Sequence, residues 1–359
     1  MYKLAVDAMG GDYGPSVTVP ACVDFLVSTP NASILLVGNR TMIQKEFDIY
    51  KQRRKIGSSL VDEVCNRRGG RLTIRHTELE IKMDQAPANA LKHGKDSSLW
   101  ICLDEVKNGD SDGAVSAGNT GALMALSRHI VKTISGISRP AIASSLPNVS
   151  GAGTTVLDLG ANISCDADQL LQFAIMGTAF SSAVENITSP SVGLLNVGTE
   201  TSKGDGVLRQ AGKLLKESPI NFIGNVEGND IFYGKVDVVV CDGLTGNVAL
   251  KSSEGLAQLI RHHLKAEFSR GVYGKIASIV SLPIFKRISN ILDHRTYNGA
   301  ALVGLDGVVF KSHGSADEFA FTCAIKRAAH AIENDLNGKI RTAIIGEQSC
   351  RKKNLSLVS

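Results

Sequence analysis

The seven cysteines, at positions 22, 65, 102, 165, 241, 323 and 350, form no CxxC pair. Most lie in apolar runs such as Val238-Val239-Val240-Cys241, the setting of reduced core thiols rather than of a disulfide scaffold. No HExxH and no Cys/His cluster occurs, which argues against a metal site; His262-His263 is an isolated pair. Aromatic residues are only 5% and the formal net charge is +4. With no basic stripe interleaved with aromatics, nucleic acid is not an expected partner. No run approaches the roughly 18 consecutive apolar residues of a membrane span. The first residues enter a strand at once, so no signal peptide is expected and a cytoplasmic, reducing compartment is. The phosphate-cradling GxxxxGK[ST] is missing as well. Gly151-Ala152-Gly153 precedes a strand where a dinucleotide fingerprint follows one, which removes most of the support for hydride transfer to NAD.

What the chain has is glycine, 36 residues of it in 359, with 43% hydrophobic residues. That suits one large α/β domain or two interleaved ones. Short β-branched runs alternate with amphipathic segments. Strands are expected at 3–7, 33–37, 72–75, 113–116, 141–145, 155–158, 192–196, 221–224, 236–241 and 308–311. Helices are expected at 16–28, 86–108, 120–133, 168–184, 203–217 and 246–264. The alternation predicts an α/β fold with a mainly parallel central sheet and helices on both faces. No linker divides the chain, so a single domain over 1–348 is expected, with a helical excursion at about 251–297 and a fraying polar tail at 349–359.

The glycines gather where expected strands end. Asp7–Pro15 reads DAMGGDYGP, with Gly10 and Gly11 beside two carboxylates. The strand at 113–116 runs into Gly118, Asn119, Thr120 and Gly121, over the first turn of a helix whose unpaired N–H groups favour an anion. A similar turn carries Asp242, Thr245, Gly246 and Asn247, again between strand and helix. The resemblance of the two suggests that they approach one phosphate together. A third turn, Asp158–Asn162, offers Asn162 as a neutral donor, and Lys311-Ser312-His313-Gly314 offers His313 as a proton donor. Lys203, in Glu200-Thr201-Ser202-Lys203-Gly204, is a candidate countercharge. Each of these features also reads as a capped turn, a packed histidine or a solvated lysine with no ligand.

In order along the chain, DAMGGDYGP (7–15), SAGNTGALM (116–124), LDLGANISCD (157–166), QFAIMG (172–177), CDGLTGNVALK (241–251), YNGAALVGLDG (297–307) and KSHG (311–314) closely resemble the PlsX family of bacterial phosphate acyltransferases. The resemblance implies a fold like isopropylmalate dehydrogenases and phosphotransacetylases. It also implies transfer of a fatty acyl group from acyl carrier protein to inorganic phosphate, giving acyl phosphate for phospholipid synthesis. It implies a homodimer and no cofactor. Lys92, Leu99 and Thr199 stand where the family commonly has Arg, Met and an acidic residue. Lys92 keeps the charge but not a two-pronged donor geometry.

Phosphate attacking a thioester needs neither metal nor redox cofactor. Near neutral pH much of it is dianionic, so positioning and oxyanion stabilisation are the protein's main tasks. No GxSxG elbow and no Cys with an evident base is present, so direct transfer is expected over a covalent route. The alternatives are a phosphotransacetylase-like enzyme using acyl-CoA, or a membrane-binding scaffold without activity. Between Lys251 and Tyr297, eight Lys/Arg face three acidic residues, and apolar runs include Ile279 and Phe285. This segment is expected either to pack a dimer or to lie on an anionic bilayer surface.

Overall fold

The expected alternation of buried strands and covering helices is what the chain adopts in a computed structural model. The structure describes residues 1–54, 70–291 and 293–358. Cys65 lies outside them, as do the side chains of Phe285, Lys352 and Lys353.

The strands are β1 (Tyr2–Asp7), β2 (Ala32–Gly38), β3 (Leu72–His76), β4 (Gly113–Ser116), β5 (Ala141–Leu146), β6 (Thr154–Leu157), β7 (Val192–Leu195), β8 (Phe222–Val226), β9 (Val238–Val240), β10 (Ala300–Val303) and β11 (Val308–Lys311). They form one 11-stranded sheet in the order β3-β2-β1-β4-β11-β10-β5-β6-β9-β7-β8. Most neighbours are parallel; the pairs β11·β10, β10·β5 and β5·β6 are antiparallel. Strands β1 to β5 and β11 therefore run one way, and β10, β6, β9, β7 and β8 the other. Buried strands such as β9, fully enclosed between β6 and β7, need apolar residues on both faces, which is why Val238-Val239-Val240 is continuous.

Helices cover both faces. Ala167–Val184 buries Phe173, Met176 and Phe180 against the sheet, and Glu318–Glu333 buries Phe321 and Ile325. Within this core Arg327 donates to Glu185 at 2.6 Å and to Ser145 Oγ at 3.0 Å, so the buried guanidinium is paired and hydrogen-bonded.

Four features differ from the sequence reading. The segment 86–108 is two helices, Pro87–His93 and Ser98–Lys107, because Gly94 closes the first and Ser97 Oγ caps the second by accepting from the Trp100 N–H. Strand β10 was not anticipated: Ala300-Ala301-Leu302-Val303 is short and lies among glycines. The helix from Gly243 is longer than expected, reaching Ser269, and a second helix, Gly271–Ile291, folds back along it after Gly271 turns at φ +64. Of the segment 349–359, expected to fray, residues 349–358 continue the helix Leu336–Val358, and Arg351 pairs with Asp168 at 2.6 Å and Glu347 at 3.0 Å.

Candidate active site

Two clusters of strand-end turns collect the candidate residues. The first lies where β1, β4 and β11 end side by side. Asp7, buried at the end of β1, accepts from Ser116 Oγ at 2.7 Å, and that hydroxyl accepts from the Gly118 N–H at 3.0 Å. Burial pushes the Asp7 carboxyl up from its ordinary value, against the pull of hydrogen bonds from Ser98, Ser116 and the backbone. Gly10 packs so closely that a Cβ would stand 2.6 Å from Gly118 N. Gly11, at φ +92, would meet Ala117 and the Gly314 carbonyl, both at 2.9 Å. The Asp12 N–H donates to that carbonyl at 2.9 Å, joining this turn to Lys311–Gly314.

Lys311 is a buried charge of this cluster to which the sequence reading gives no role. Its ammonium is buried and donates to the Ala117 carbonyl at 3.0 Å and to the Ser312 carbonyl, so it ties two turns together. Burial pulls it down to about 8, with Asp12 and Asp7 opposing. The available signal was a lysine prolonging the buried run Val308–Phe310. His313 is exposed beside it. Its N–H donates to Asn298 Oδ1 at 2.9 Å, and its Nδ1 accepts from the Ser315 N–H at 3.2 Å, so in the neutral ring the proton is on Nε2.

A groove of about 330 Å³ opens at this cluster, lined among others by Met9, Gly11, Met42, Ile81 and Met83, with Asp12, Glu80 and Lys82 at its polar parts. Asn119 builds its wall. Its Nδ2 donates to the carbonyls of Met83 at 2.6 Å and Gln85 at 2.9 Å, while Oδ1 caps the helix by accepting from Ala122 N. The Asn119 side chain is thus committed to structure, in place of the anion contact expected of it. Thr120 and Gly121 remain exposed on the first helical turn, where N–H groups have no partner within the helix.

The second cluster lies where β6, β9 and β7 end. Asp158 is its hub. It is fully buried and accepts from Ile142 N at 2.9 Å, Ala161 N at 3.1 Å, Asn162 N at 2.7 Å and Asn162 Nδ2 at 2.9 Å. Burial pushes its carboxyl up despite these donors. The second Nδ2 proton of Asn162 goes to the Pro140 carbonyl at 2.9 Å. Both amide protons are therefore used, and Asn162 positions the turn where it was expected to donate to substrate. Its carbonyl accepts from Gly243 N at 2.7 Å, which fixes the start of the Gly243–Ser269 helix. Asp242 caps that helix through Thr245 N at 2.7 Å and is likewise structural. Thr245 and Asn247 are exposed beyond it.

Gly246 explains why this turn is glycine-rich. A Cβ there would stand 1.9 Å from the Asp158 carbonyl oxygen and 2.9 Å from Cys241 Sγ. Neither backbone oxygen nor buried sulfur can retreat. Gly246→Ala is expected to cost about 3 kcal/mol, read as a lowered urea midpoint with unchanged slope.

Lys203 is exposed on the loop after β7, beside the β9 turn in the sheet, and its carbonyl is held by Asn196 Nδ2 at 3.2 Å. Lys203 and the Asp242–Asn247 turn thus share one edge. The turn at Gly118–Gly121 does not. Strands β4 and β9 are separated by β11, β10, β5 and β6 and run in opposite directions. The helix that follows Gly118–Gly121 nevertheless reaches the second cluster, for Met124 packs against the buried group that holds Leu159 and Cys241, with Ala161 and Leu250 against the same group.

Residues 2–339 match the family described as fatty acid synthesis protein. Two relatives are "Phosphate acyltransferase" of Polaromonas sp. strain JS666, 49% identical over 350 residues covering 96% of this chain and 90% of the relative, and that of Acidovorax sp. strain JS42, 50% identical over 348 residues covering 96% and 95%. The chain belongs to this family. It is the PlsX family of the sequence resemblance. The PlsX fold of this chain is also that of a phosphotransacetylase from Streptococcus pyogenes, with a TM-score of 0.58 at 19% identity over 92% of this chain and 94% of that one. EutD phosphotransacetylase from Staphylococcus aureus gives 0.55 at 16% identity, covering 92% and 94%.

Proposed function

We propose that this protein transfers a fatty acyl group from acyl carrier protein to inorganic phosphate, forming acyl phosphate for phospholipid synthesis. Family membership over nearly the whole chain, with phosphate acyltransferases at about half identity, carries this reading. Phosphate sits at the second cluster, where Lys203, Thr245, Asn247 and the first turn of a long helix favour an anion. The first cluster suits a dianion less, because the carboxylates of Asp12 and Glu80 outnumber the single ammonium of Lys82 along its groove. It takes the thioester donor, with His313 facing the leaving sulfur.

A phosphate oxygen attacks the carbonyl carbon, the C–O bond forms as the C–S bond breaks, and the released thiolate takes a proton from the protonated His313 ring, which is left as neutral imidazole. The thiols favour this direct route over an acyl-enzyme. Cys22, Cys102 and Cys241 are buried with their thiols pushed up, and half-buried Cys165 is pushed up to about 12, all mainly by burial. The discriminating experiment compares C16 acyl carrier protein with acetyl-CoA, each with and without phosphate. Phosphate-dependent turnover of the carrier-bound donor is expected; preference for acetyl-CoA overturns the reading.

The protein acts as a homodimer at the cytoplasmic face of the membrane. Among the described residues no helix is long and apolar enough to cross a bilayer. Yet the hairpin formed by Gly243–Ser269 and Gly271–Ile291 exposes Val272, Tyr273, Ile276, Ile279 and Val280 at its tip and second limb, next to Arg270 and Lys275. Such a surface lies in an anionic headgroup layer. Replacing Ile279 and Val280 together by Asp should weaken sedimentation with anionic liposomes at least about tenfold, since complete burial of each side chain contributes roughly 1.5–3 kcal/mol. Undiminished sedimentation assigns the stripe to protein packing.

A further inference from the structure

We infer that the groove at the first cluster holds the fatty acyl chain of the donor, with Met83 at its mouth beside His313 and Met42 at its far end, where it limits chain length. The inference rests on the assignment of the thioester donor to this cluster. Methionine is concentrated there. The chain has six methionines, and three of them, Met9, Met42 and Met83, line this one groove. Methionine is unbranched and polarizable and repacks around ligands of variable shape, so three together make a wall that adapts to a flexible apolar chain.

The fold places each of them. Met9 lies on Gly38, where a Cβ would stand 2.8 Å from its Cγ and Sδ, and that sulfur accepts from the Asn39 N–H at 3.4 Å. Met42 stands in the first turn of the helix Arg40–Arg54 and is 47% exposed. The Met83 carbonyl is held by Asn119 Nδ2, and its methyl reaches Gly314, where a Cβ would stand 2.8 Å from it. Gly314 directly follows His313, so the groove opens beside the proton donor. Strand β2 leads to the helix of Met42 and β11 to His313, with β1 and β4 between them and all four parallel. Three strand spacings amount to about 14 Å. A two-carbon acetyl group held at His313 cannot cross that distance; a long chain does.

Charge favours the same occupant. The carboxylates of Asp12 and Glu80 against the one ammonium of Lys82 repel an anionic ligand, whereas a thioester and its hydrocarbon tail carry no charge. The volume of about 330 Å³ is that of a small-molecule site and far exceeds what an acetyl group fills.

Chain-length profiles test this. Wild type and Met42→Trp are assayed with C8 and C16 acyl carrier protein at saturating phosphate. The indole fills the far end, so the ratio of kcat/KM for C16 to that for C8 is expected to fall about tenfold for every two methylenes kept out of the groove. An equal loss on both donors, or no loss on either, overturns the inference. A second measurement reads binding without turnover. In protein carrying ¹³C-methyl methionine, a hexadecyl thioether of acyl carrier protein, which cannot react, should shift the methyl resonances of Met9, Met42 and Met83 and leave that of fully buried Met176 in place. Absence of shifts at the three groove methionines overturns the inference. If wild type shows no phosphate-dependent turnover of either donor, the functional reading fails, and the methyl shifts alone decide whether the groove takes the chain.

Discussion

His313→Gln is expected to lower kcat by about 10²–10⁴-fold, the usual contribution of a positioned proton donor. Glutamine keeps a side-chain N–H but cannot give up a proton, so the loss separates proton transfer from simple hydrogen bonding. The local fold should survive, because the backbone N–H of residue 313 still reaches Asn298 and the neighbouring Lys311 still ties Ala117 to Ser312. Thermal midpoint and size-exclusion behaviour check that point. Near-wild-type kcat would assign His313 to the turn through its Ser315 contacts.

Lys203→Ala should act on the other substrate. An exposed ammonium beside the anion-binding turn contributes attraction to phosphate and to the charge that develops as it attacks. Loss of one such electrostatic partner costs about 10²–10³-fold, expected here in kcat/KM for phosphate. Most of it should appear as a raised KM for phosphate, while KM for the acyl donor stays within a fewfold. Lys203→Arg should recover part of the loss, because the charge is kept but the compact ammonium is replaced by a planar fork. An unchanged phosphate KM in the alanine variant would return Lys203 to the role of a solvated loop residue.

The sheet was legible because its strands are nearly all apolar and end in glycine turns; ten of the strands fall within a few residues of their expected positions. The order was not. Nothing in the runs at 141–146 and 154–157 marks them as an antiparallel hairpin, and β10 lies beyond two helices of which only the first, over 246–264, is expected from sequence. Two turns of like composition, SAGNTGA and CDGLTGN, follow strands of opposite direction, because three antiparallel pairings lie between them. The roles of Asn119 and Asn162 were misread for a related reason. Asparagine in a strand-end turn is a donor on paper, but whether its amide protons are free depends on carbonyls distant in sequence, those of Met83, Gln85 and Pro140. Lys311 escaped notice because its partners are main-chain carbonyls, which carry no mark in a sequence. The obligatory glycine at 246 was readable as a glycine, though not as one pressed against Asp158.

The central claim is that phosphate is the acyl acceptor. It is tested most directly by following purified protein with palmitoyl acyl carrier protein and inorganic phosphate by phosphorus NMR while free thiol is titrated. An acyl phosphate resonance that grows in step with released thiol, and vanishes when phosphate is replaced by sulfate, is the predicted result. Thiol release with no acyl phosphate, or at the same rate without phosphate, would make this chain a thioesterase and contradict the account.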